Sequence, residues 1–217
     1  MIYSLNRLLR NIPIWNRVAR SSRLRSLLGF EETLWTRKVS DEQVRRLVKT
    51  LKPSGISALE ISGTTWQSFG FRAYRSVEYP DFDISRDVLT GSFDLIIAEH
   101  IFEHLLRPYN AGQNVLKMLR PGGHFLVVTP FIYKVHLDPF DCTRWTETGI
   151  KYFLAECGFP LELITTGSWG NYKCIKATFR QEYRLFNRYI HTLKNEPDLP
   201  IVVWAFAQKR CDCALLQ

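Results

Sequence analysis

Residues 91–130 read GSFDLIIAEHIFEHLLRPYNAGQNVLKMLRPGGHFLVVTP, and this stretch decides the fold. Its residues 93–98 form an apolar run of the kind found in central strands that are buried on both faces. Residues 110–119 carry apolar side chains at helical spacing, and the Pro-Gly-Gly at 121–123 predicts a turn. Residues 124–129 predict a second buried strand. A strand, a helix and a strand in this order indicate a βαβ unit with parallel strands.

The same alternation continues on both sides of this unit. Short apolar runs predict four further strands, at residues 56–61, 73–78, 161–165 and 201–207. Helical spacing predicts further helices at residues 40–51, 146–158 and 172–193. Strands that alternate with helices in this way favour an α/β domain built on a mainly parallel sheet.

Polar side chains predict where some of these helices begin and end. Ser40, with Gln43 three residues later, has the spacing of a capping box. Thr146 predicts the N-cap of a later helix, and Gly158 predicts its left-handed C-terminal cap.

The distribution of charge argues against a nucleic-acid partner. The chain has 217 residues, enough for one domain with appendages, and a formal net charge of +8. Residues 1–52 carry 12 Lys/Arg against 4 Asp/Glu, whereas the remaining residues carry 17 of each. The body of the protein is therefore neutral and offers no general attraction for a polyanion.

Cysteine usage and hydropathy suggest an intracellular setting. The five cysteines are Cys142, Cys157, Cys174, Cys211 and Cys213. They form no C-x-x-C pair, so we predict neither a disulfide scaffold nor a metal site, and we favour a reducing compartment. No apolar run reaches 18 residues, so we expect no membrane-spanning helix. The prediction is a cytoplasmic protein, and nothing in the sequence specifies its oligomeric state.

The N-terminal segment allows two interpretations. Residues 1–30 contain six Arg and no acidic residue, and apolar residues at positions 5, 8, 9 and 12 follow a helical stripe. The segment either packs on the domain as an accessory element or contacts an anionic membrane surface as a basic amphipathic helix.

Polar residues follow the predicted strands at their carboxyl ends. Glu60 and Gly63 lie at the end of the first strand, Glu78 ends the second, and Glu99 and His100 follow the strand at 93–98. Ligands of open parallel sheets bind at these ends. A carboxylate after the second strand can accept hydrogen bonds from both hydroxyls of a ribose. The pattern therefore predicts a site for a nucleoside-containing ligand.

The stretch 91–130 resembles the class I S-adenosylmethionine-dependent methyltransferases, in particular the small type-11-like group. The resemblance rests on the F-D-L-I-I strand, the E-H pair, the L-R-P-G-G turn and a strand ending in T-P. Residues 143–146 (TRWT) and 153–159 (FLAECGF) are similar to the helix before the family's late strands. The likeness extends over residues 40–208. It implies a doubly wound, Rossmann-like sheet of seven mostly parallel strands, with the last strand antiparallel.

This resemblance also divides the chain into three parts. They are a basic amphipathic segment at 1–38, a methyltransferase domain at 39–210 and a tail at 211–217.

The family's cofactor, S-adenosylmethionine, implies roles for several acids. By resemblance Glu60 orders the loop around the methionine part, Glu78 binds the ribose, and Asp83 lies near the adenine. Glu99 and His100 lie beside the methyl-donor sulfonium. The gap between Glu78 and Asp83 is too short for a helix, which predicts that the third strand is shortened or displaced.

The cofactor loop departs from the family pattern D-x-G-x-G-x-G. Ser62, Thr64 and Trp66 stand at the glycine positions, and only Gly63 lies nearby. We expect Ser62, Gly63 and Thr64 to line the cofactor, and the large Trp66 side chain to affect its pose.

Residues 133–141 follow the fifth strand and should overhang the site. Here His136, Asp138 and Asp141 either position or deprotonate an acceptor hydroxyl or make only local turn bonds. His136 is the first candidate for a general base, because a neutral imidazole is available near pH 7. His100 and Asp138 are the other catalytic candidates.

Two further features have a structural and a functional interpretation. Trp169 either walls the acceptor pocket or packs in the core, and His104 is expected to cap or bond backbone. A basic stripe recurs every four residues along the predicted helix at 172–193, as Lys176, Arg180, Arg184 and Arg188. It is either a solvated face or an attraction for an anionic acceptor or membrane.

The leading functional hypothesis is methyl transfer from S-adenosylmethionine to a hydroxyl or amine. The acceptor would be a small molecule, a glycan or a lipid-linked sugar. The alternative is a catalytically inactive methyltransferase-like domain that serves as a binding or scaffold module, which the glycine-poor loop motivates.

Overall fold

The computed structural model describes residues 21–180 and 185–211. The helices are α1 (Ser22–Leu27), α2 (Lys38–Thr50), α3 (Pro108–Met118), α4 (Glu147–Glu156) and α5 (Tyr172–Phe179). The strands are β1 (Phe30–Leu34), β2 (Ser57–Ile61), β3 (Ala73–Val77), β4 (Phe93–Glu99), β5 (Leu119–Pro130), β6 (Ile164–Trp169), β7 (Leu185–Asn187) and β8 (Val202–Gln208). Short 3-10 helices lie at Pro53–Gly55, Gln67–Phe69, Phe102–His104 and Leu161–Leu163.

The main sheet has six strands in the order β3-β2-β4-β5-β8-β6. Strands β3, β2, β4 and β5 are parallel, and β8 runs antiparallel to both β5 and β6. The mostly parallel sheet with an antiparallel last strand is confirmed, but the predicted count of seven is not. Residues 78–92 form only turns and bends between β3 and β4. The expected third strand is therefore missing there, and β3 forms the edge.

Both faces of the sheet are covered by helices, as a doubly wound fold requires. Successive residues of a strand point to opposite faces, so Ile96 packs in the core under α3 and α4, while Leu95 packs in the core under α2 and α5. Val115 and Phe153 belong to the first core, and Val44 belongs to the second. This two-sided burial explains why residues 93–98 are nearly all apolar.

A second, two-stranded sheet joins the two distant parts of the chain that contain β1 and β7. The Trp35 ring stacks on the His191 ring with 3.9 Å between centroids. The Trp35 Nε1–H donates to the Thr192 carbonyl at 3.1 Å, and the Asn187 side-chain amide donates to the Leu28 carbonyl at 2.9 Å. These contacts fix the segment that leads from β1 into α2.

The predicted capping box at Ser40 is wrong. Helix α2 begins at Lys38 after Arg37, which makes no side-chain capping bond. Ser40 lies buried inside the first turn, and its hydroxyl donates to the Arg37 carbonyl at 3.0 Å. A buried serine can satisfy its hydroxyl in this way without ending the helix. The buried Trp35 anchors the chain just upstream, so the helix begins earlier than the polar pattern indicates.

The predicted helix at 172–193 is also wrong, because α5 ends at Phe179 and residues 185–187 pair with β1 as a strand. Strand pairing overrides the helical spacing here. Of the basic stripe, Arg184 lies outside the described residues and Arg188 follows a strand, so no single helix carries the stripe.

Several smaller predictions have mixed outcomes. Thr146 accepts the Gly149 N–H at 3.0 Å as the N-cap of α4, and Gly158 has a φ of 107°, so both caps are confirmed. The strand predicted at 161–165 begins only at Ile164. The Pro-Gly-Gly at 121–123 lies inside β5, where the pairing with β4 shifts register.

The helical stripe predicted at residues 5–12 lies outside the described residues, and so does part of the segment 1–38. No helix in the described parts of the chain is long and apolar enough to cross a membrane.

Candidate active site

A cleft of about 300 Å³ opens at the carboxyl ends of β2, β4 and β5. The first residues of β8 reach the same edge because that strand is antiparallel. The cleft is lined by Leu34, Thr36, Arg37, Glu60, Ser62, Thr65, Glu99, His100, Pro130, Tyr133, His136, Ile201 and Val202. Its walls therefore combine the strand ends, the connection from β1 to α2 and the loop after β5.

Glu60 organises the loop that follows β2. Its buried carboxylate accepts the backbone N–H groups of Thr65 and Trp66, each at 3.0 Å, and the Tyr74 hydroxyl at 2.5 Å. Burial, with the neighbouring Glu60 charge, raises the pKa of Tyr74, so its hydroxyl remains a donor. One side chain thus holds the C-terminal end of the turn from Ser62 to Trp66.

The backbone of this loop takes conformations that favour glycine. Gly63 has a φ of 104°, and Ser62 adopts a φ of 57°, which is uncommon for a residue with a Cβ. The Ser62 N–H donates to the Val77 carbonyl at 2.8 Å, and the Gly63 N–H donates to the exposed Glu78 carboxylate. The ends of β2 and β3 are therefore tied together, and Glu78 lies beside the loop. Its role in binding the ribose stays a prediction.

Trp66 does not project into the cleft. Its side chain is 1% exposed and packs in the core under α2, edge-on to Phe69, with the Arg45 guanidinium 5.1 Å from its ring. The ring is buried and does not line the cleft, and the expectation that it affects the cofactor's pose stays a prediction. The chain then passes through a single 3-10 turn before β3.

Charged groups concentrate on one side of the cleft. The Arg37 guanidinium lies 3.6 Å from Glu99 and 3.8 Å from Asp41. Burial raises the pKa of Glu99, and Arg37 opposes that shift. Burial likewise raises the pKa of Asp41. His100 has a φ of 56°, and its N–H donates to the Val128 carbonyl at 2.8 Å. The carboxylates of Asp41 and Glu99 therefore share one arginine beside the cleft.

The loop after β5 brings His136 to the lining of the cleft. The His136 N–H donates to the Asp141 carboxylate at 2.9 Å, and its Nδ1 lies 3.2 Å from the Lys134 carbonyl oxygen. The Arg144 guanidinium binds Asp141 through two nitrogens and lowers the pKa of that carboxyl group. Asp138 is exposed and does not line the cleft. Asp141 therefore fixes the loop, whereas His136 faces the cavity.

The predicted site residues separate into two groups. Those that line the cleft are Glu60, Ser62, Glu99, His100 and His136. Gly63 and the exposed Glu78 are joined by a hydrogen bond but do not line it, and Thr64 is exposed. Asp83 lies in a separate turn, where its carboxylate accepts the Ser85 N–H at 2.9 Å. The structure brings the first group together and leaves Asp83 outside it.

Trp169 and His104 take structural positions. Trp169 is buried in the core and donates from Nε1 to the Leu193 carbonyl at 3.1 Å, so it does not wall the cleft. His104 Nδ1 lies 2.5 Å from the Phe140 carbonyl oxygen, which agrees with its expected bond to backbone.

Sequence reasoning missed the contribution of the chain before α2. Leu34, Thr36 and Arg37 line the cleft although they precede the predicted domain by sequence. The only available signal was the basic Arg37-Lys38 pair at the start of a helix, which has no specific meaning by itself. Tyr133 was expected in the loop that overhangs the site, but the sequence gave it no role of its own.

Comparisons with known proteins agree with this architecture. Residues 67–127 match the family model described as a methyltransferase domain. No curated protein sequence matches the chain.

Similar solved structures include an S-adenosylmethionine-dependent methyltransferase from Archaeoglobus fulgidus, which is 12% identical, with 80% of this chain and 94% of that chain covered and a TM-score of 0.52. A possible histamine N-methyltransferase from Thermotoga maritima is 11% identical, with 81% and 98% covered and a TM-score of 0.52. Phosphoethanolamine N-methyltransferase 2 from Haemonchus contortus, in complex with S-adenosylmethionine, is 11% identical, with 78% and 52% covered and a TM-score of 0.50.

At these identities the solved structures show a shared fold alone, and the family match covers residues 67–127 of the 217. Both agree with the resemblance to the class I S-adenosylmethionine-dependent methyltransferases. The cofactor of that family is S-adenosylmethionine, which supplies an electrophilic methyl group on a sulfonium.

The residues present fit this cofactor. The carboxylates of Glu60 and Glu99 line the cleft, where they favour a ligand that carries an ammonium and a sulfonium. Burial raises the pKa of Glu99, so a nearby cation would stabilise its charged form. Glu78 lies at the carboxyl end of β3, where an acid can accept hydrogen bonds from ribose hydroxyls. Trp66 leaves the cleft open.

Proposed function

We propose that the protein transfers the methyl group of S-adenosylmethionine to a hydroxyl or amine of a small molecule, a glycan or a lipid-linked sugar. The single observation behind this proposal is the mixed lining of the cleft. Acidic groups line it at the ends of β2 and β4, and Tyr133 and His136 line it from the loop after β5. A cationic donor and a nucleophilic acceptor need such different surroundings.

Methyl transfer is an in-line displacement, in which the bond to the acceptor atom forms as the carbon–sulfur bond breaks. Holding the acceptor close and aligned can contribute roughly 7–11 kcal/mol in ideal intramolecular cases. The walls around Arg37, Tyr133 and His136 are the surfaces of this chain that would hold it.

In this proposal His136 removes the proton of a hydroxyl acceptor. Its Nδ1 faces the Lys134 carbonyl, which can only accept, so the neutral ring carries hydrogen on Nδ1 and a lone pair on Nε2. General-base catalysis typically contributes about 10²–10⁴-fold to rate. The phosphoethanolamine N-methyltransferase that shares the fold is the reason to retain an amine as the other acceptor.

We also propose peripheral contact between the N-terminal segment and an anionic membrane. The described end of this segment supports it, because Leu24, Leu27 and Leu28 of α1 and its C-cap are exposed beside Arg23. We propose no nucleic-acid partner, since the chain after residue 52 is neutral.

The test is acceptor-dependent formation of S-adenosylhomocysteine, measured with a panel of sugar and alcohol acceptors and a panel of amines. With a hydroxyl acceptor, we expect His136→Ala to lower kcat by about 100-fold or more. The matched control is His124→Ala, a half-buried histidine on β5 at the opposite end of the sheet. Cofactor binding without turnover on either panel would contradict the proposal and favour the scaffold alternative.

A further inference from the structure

The carboxylate of Glu103 is buried without a hydrogen-bond donor. Its side chain is 0% exposed, and within the described residues neither oxygen has a hydrogen-bond partner. Burying an ionised carboxylate in this way is strongly unfavourable unless another charge compensates it. The methyl-transfer proposal makes no use of this group.

Two imidazoles flank the same carboxylate oxygen at a distance too long for hydrogen bonds. His100 Nδ1 and His104 Nε2 each lie 3.7 Å from Glu103 Oε1. A third imidazole, that of His136, meets the His104 ring edge to face at 4.9 Å between centroids. The carboxylate therefore sits at the centre of a histidine cluster.

The hydrogen bonds of two histidines leave a lone pair free on the ring atom Nε2. His104 Nδ1 lies 2.5 Å from the Phe140 carbonyl, and His136 Nδ1 lies 3.2 Å from the Lys134 carbonyl. Because a carbonyl only accepts, each neutral ring carries its hydrogen on Nδ1 and a lone pair on Nε2. This backbone support is the usual arrangement behind histidine ligands of metal ions.

We propose that Glu103, His104 and His136 bind a divalent transition-metal ion of the Zn²⁺ class. Their ligand atoms all lie within 4.8 Å of one another. Two imidazoles with one carboxylate form a set known from catalytic zinc and non-haem iron sites. Ligands at about 2.1 Å from a tetrahedral ion stand about 3.4 Å apart, so a small side-chain rotation closes the cluster. The prediction from the cysteine pattern considered only a structural zinc site and did not include this histidine set.

The ion would connect the buried cluster with the cleft, because His136 lines the cleft and Glu103 lies behind it. Three protein ligands leave a coordination position open. This consequence rests on the proposed function: an acceptor hydroxyl bound there would lose its proton more easily, and His136 would then hold the ion instead of receiving the proton.

A metal-free explanation is a protonated His104 that pairs with Glu103. It predicts no site for an added ion, whereas the proposal predicts one equivalent. The test titrates Zn²⁺, and Mg²⁺ for comparison, by calorimetry into untagged full-length protein that has been stripped with a chelator. S-adenosylmethionine is left out, and its binding is measured separately.

We expect one equivalent of Zn²⁺ to bind, and Mg²⁺ to bind far more weakly, because Mg²⁺ prefers oxygen ligands. Glu103→Gln and His136→Ala should each weaken Zn²⁺ binding by about 100-fold or more, since loss of even an outer-shell partner costs about 10–100-fold. His136 is half-buried in a loop, so its variant keeps the test valid if Glu103→Gln fails to fold.

Two controls exclude other ligands. His124→Ala removes a histidine outside the cluster, and a Cys211→Ser, Cys213→Ser double variant removes the thiols near the C-terminus. Both should bind Zn²⁺ as the wild type does. The absence of saturable binding at millimolar Zn²⁺, or binding that survives in Glu103→Gln and His136→Ala, would overturn the inference. Cofactor binding without Zn²⁺ binding would reject the metal site alone, and the reverse would reject the methyltransferase proposal alone.

Discussion

The two halves of the parallel sheet are built differently. Strands β4 and β5 are joined through α3, a full crossover helix that packs on one face. Strands β2 and β3 are joined by residues 62–72, which contain only the 3-10 turn Gln67–Phe69. No helix or strand follows between β3 and β4. The parallel part of the sheet thus has a regular half, formed by β4 and β5, and a shortened half, formed by β2 and β3.

The shortened half shows how a cofactor loop can be fixed without a glycine-rich turn that opens a helix. Parallel strands are usually joined by a dozen or more residues with an α-helix. Here the Glu60 carboxylate binds the Thr65 and Trp66 N–H groups, and the Trp66 side chain packs in the core. Side-chain hydrogen bonds and one buried aromatic residue replace the missing helix.

The largest effect is expected from Glu60→Ala. The change leaves two backbone N–H groups and the Tyr74 hydroxyl without their acceptor. We expect the free energy of unfolding to fall by at least about 3 kcal/mol, since each of the three stranded donors costs about 1–3 kcal/mol. Affinity for S-adenosylmethionine should fall at least about 100-fold, or about 2.7 kcal/mol. Urea denaturation and calorimetry measure the two quantities.

The control for this variant is Glu162→Ala, which removes an exposed partner of Arg210. An exposed ion pair contributes little, so stability should change by less than about 1 kcal/mol. If Glu60→Ala binds the cofactor as the wild type does, the loop is not held by Glu60 in the way described.

The contacts of His191 beside β1 and β7 should make the stability of the protein sensitive to acid. Burial lowers the pKa of His191 to about 4, and its Nδ1 accepts the Asn187 N–H at 3.0 Å. The unfolded chain protonates this histidine near pH 6.5. Between about pH 4 and pH 6.5 the unfolded state binds more protons than the folded state. The free energy of unfolding therefore falls as the pH is lowered through this range, and the contribution of His191 is fully present above about pH 6.5.

The loss of unfolding free energy on acidification should reach about 3 kcal/mol at most. Denaturation midpoints between pH 4 and pH 7 measure it. The variant His191→Asn retains an acceptor for Asn187 and removes the titrating group, and the pH dependence should flatten. An equally steep dependence in the variant would show that other groups cause it.

The regular half offers a test that should spare the cofactor. A Cβ at Gly112 of α3 would collide with the Cys157 thiol, which is buried after α4. Gly112→Ala should therefore destabilise the protein by about 1–3 kcal/mol, with unchanged affinity for S-adenosylmethionine. Adding Cys157→Ala should recover part of this loss, as a double-mutant cycle would show. If Gly112→Ala also lowered the affinity for S-adenosylmethionine, the packing of the regular half would influence cofactor binding at the shortened half.

The smallest effect is expected at Asp83. Its carboxylate binds the Ser85 N–H within its own turn, away from the cleft. Asp83→Ala should cost about 1 kcal/mol of stability and change cofactor affinity by less than about threefold. A loss of tenfold or more would support the adenine-side role implied by the resemblance.

The regular half was predictable from sequence, and the shortened half only in part. The apolar run at 93–98, Thr146 and Gly158 follow local rules of burial and capping, and the structure confirms them. The gap after Glu78 predicted a shortened or displaced third strand, and residues 78–92 form no strand. The direction of Trp66 depends on positive φ values at Ser62 and Gly63, which hydrophobic periodicity does not contain.

Contacts between distant segments were beyond local patterns. Arg37 enters the cleft because β1 pairs with β7, more than a hundred residues away. The same pairing ends the helix predicted to continue beyond α5. The cluster of Glu103 and His136 likewise depends on how the loop after β5 folds back on the Phe102–His104 turn. Only the three-dimensional structure shows these neighbours.

The central claim is that the glycine-poor loop, held by Glu60, still binds S-adenosylmethionine. Calorimetric titration of the cofactor into the full-length protein tests it most directly. The account predicts saturable binding of one equivalent, weakened at least about 100-fold in Glu60→Ala and unchanged in Glu162→Ala. No binding to the wild-type protein at millimolar cofactor would contradict it.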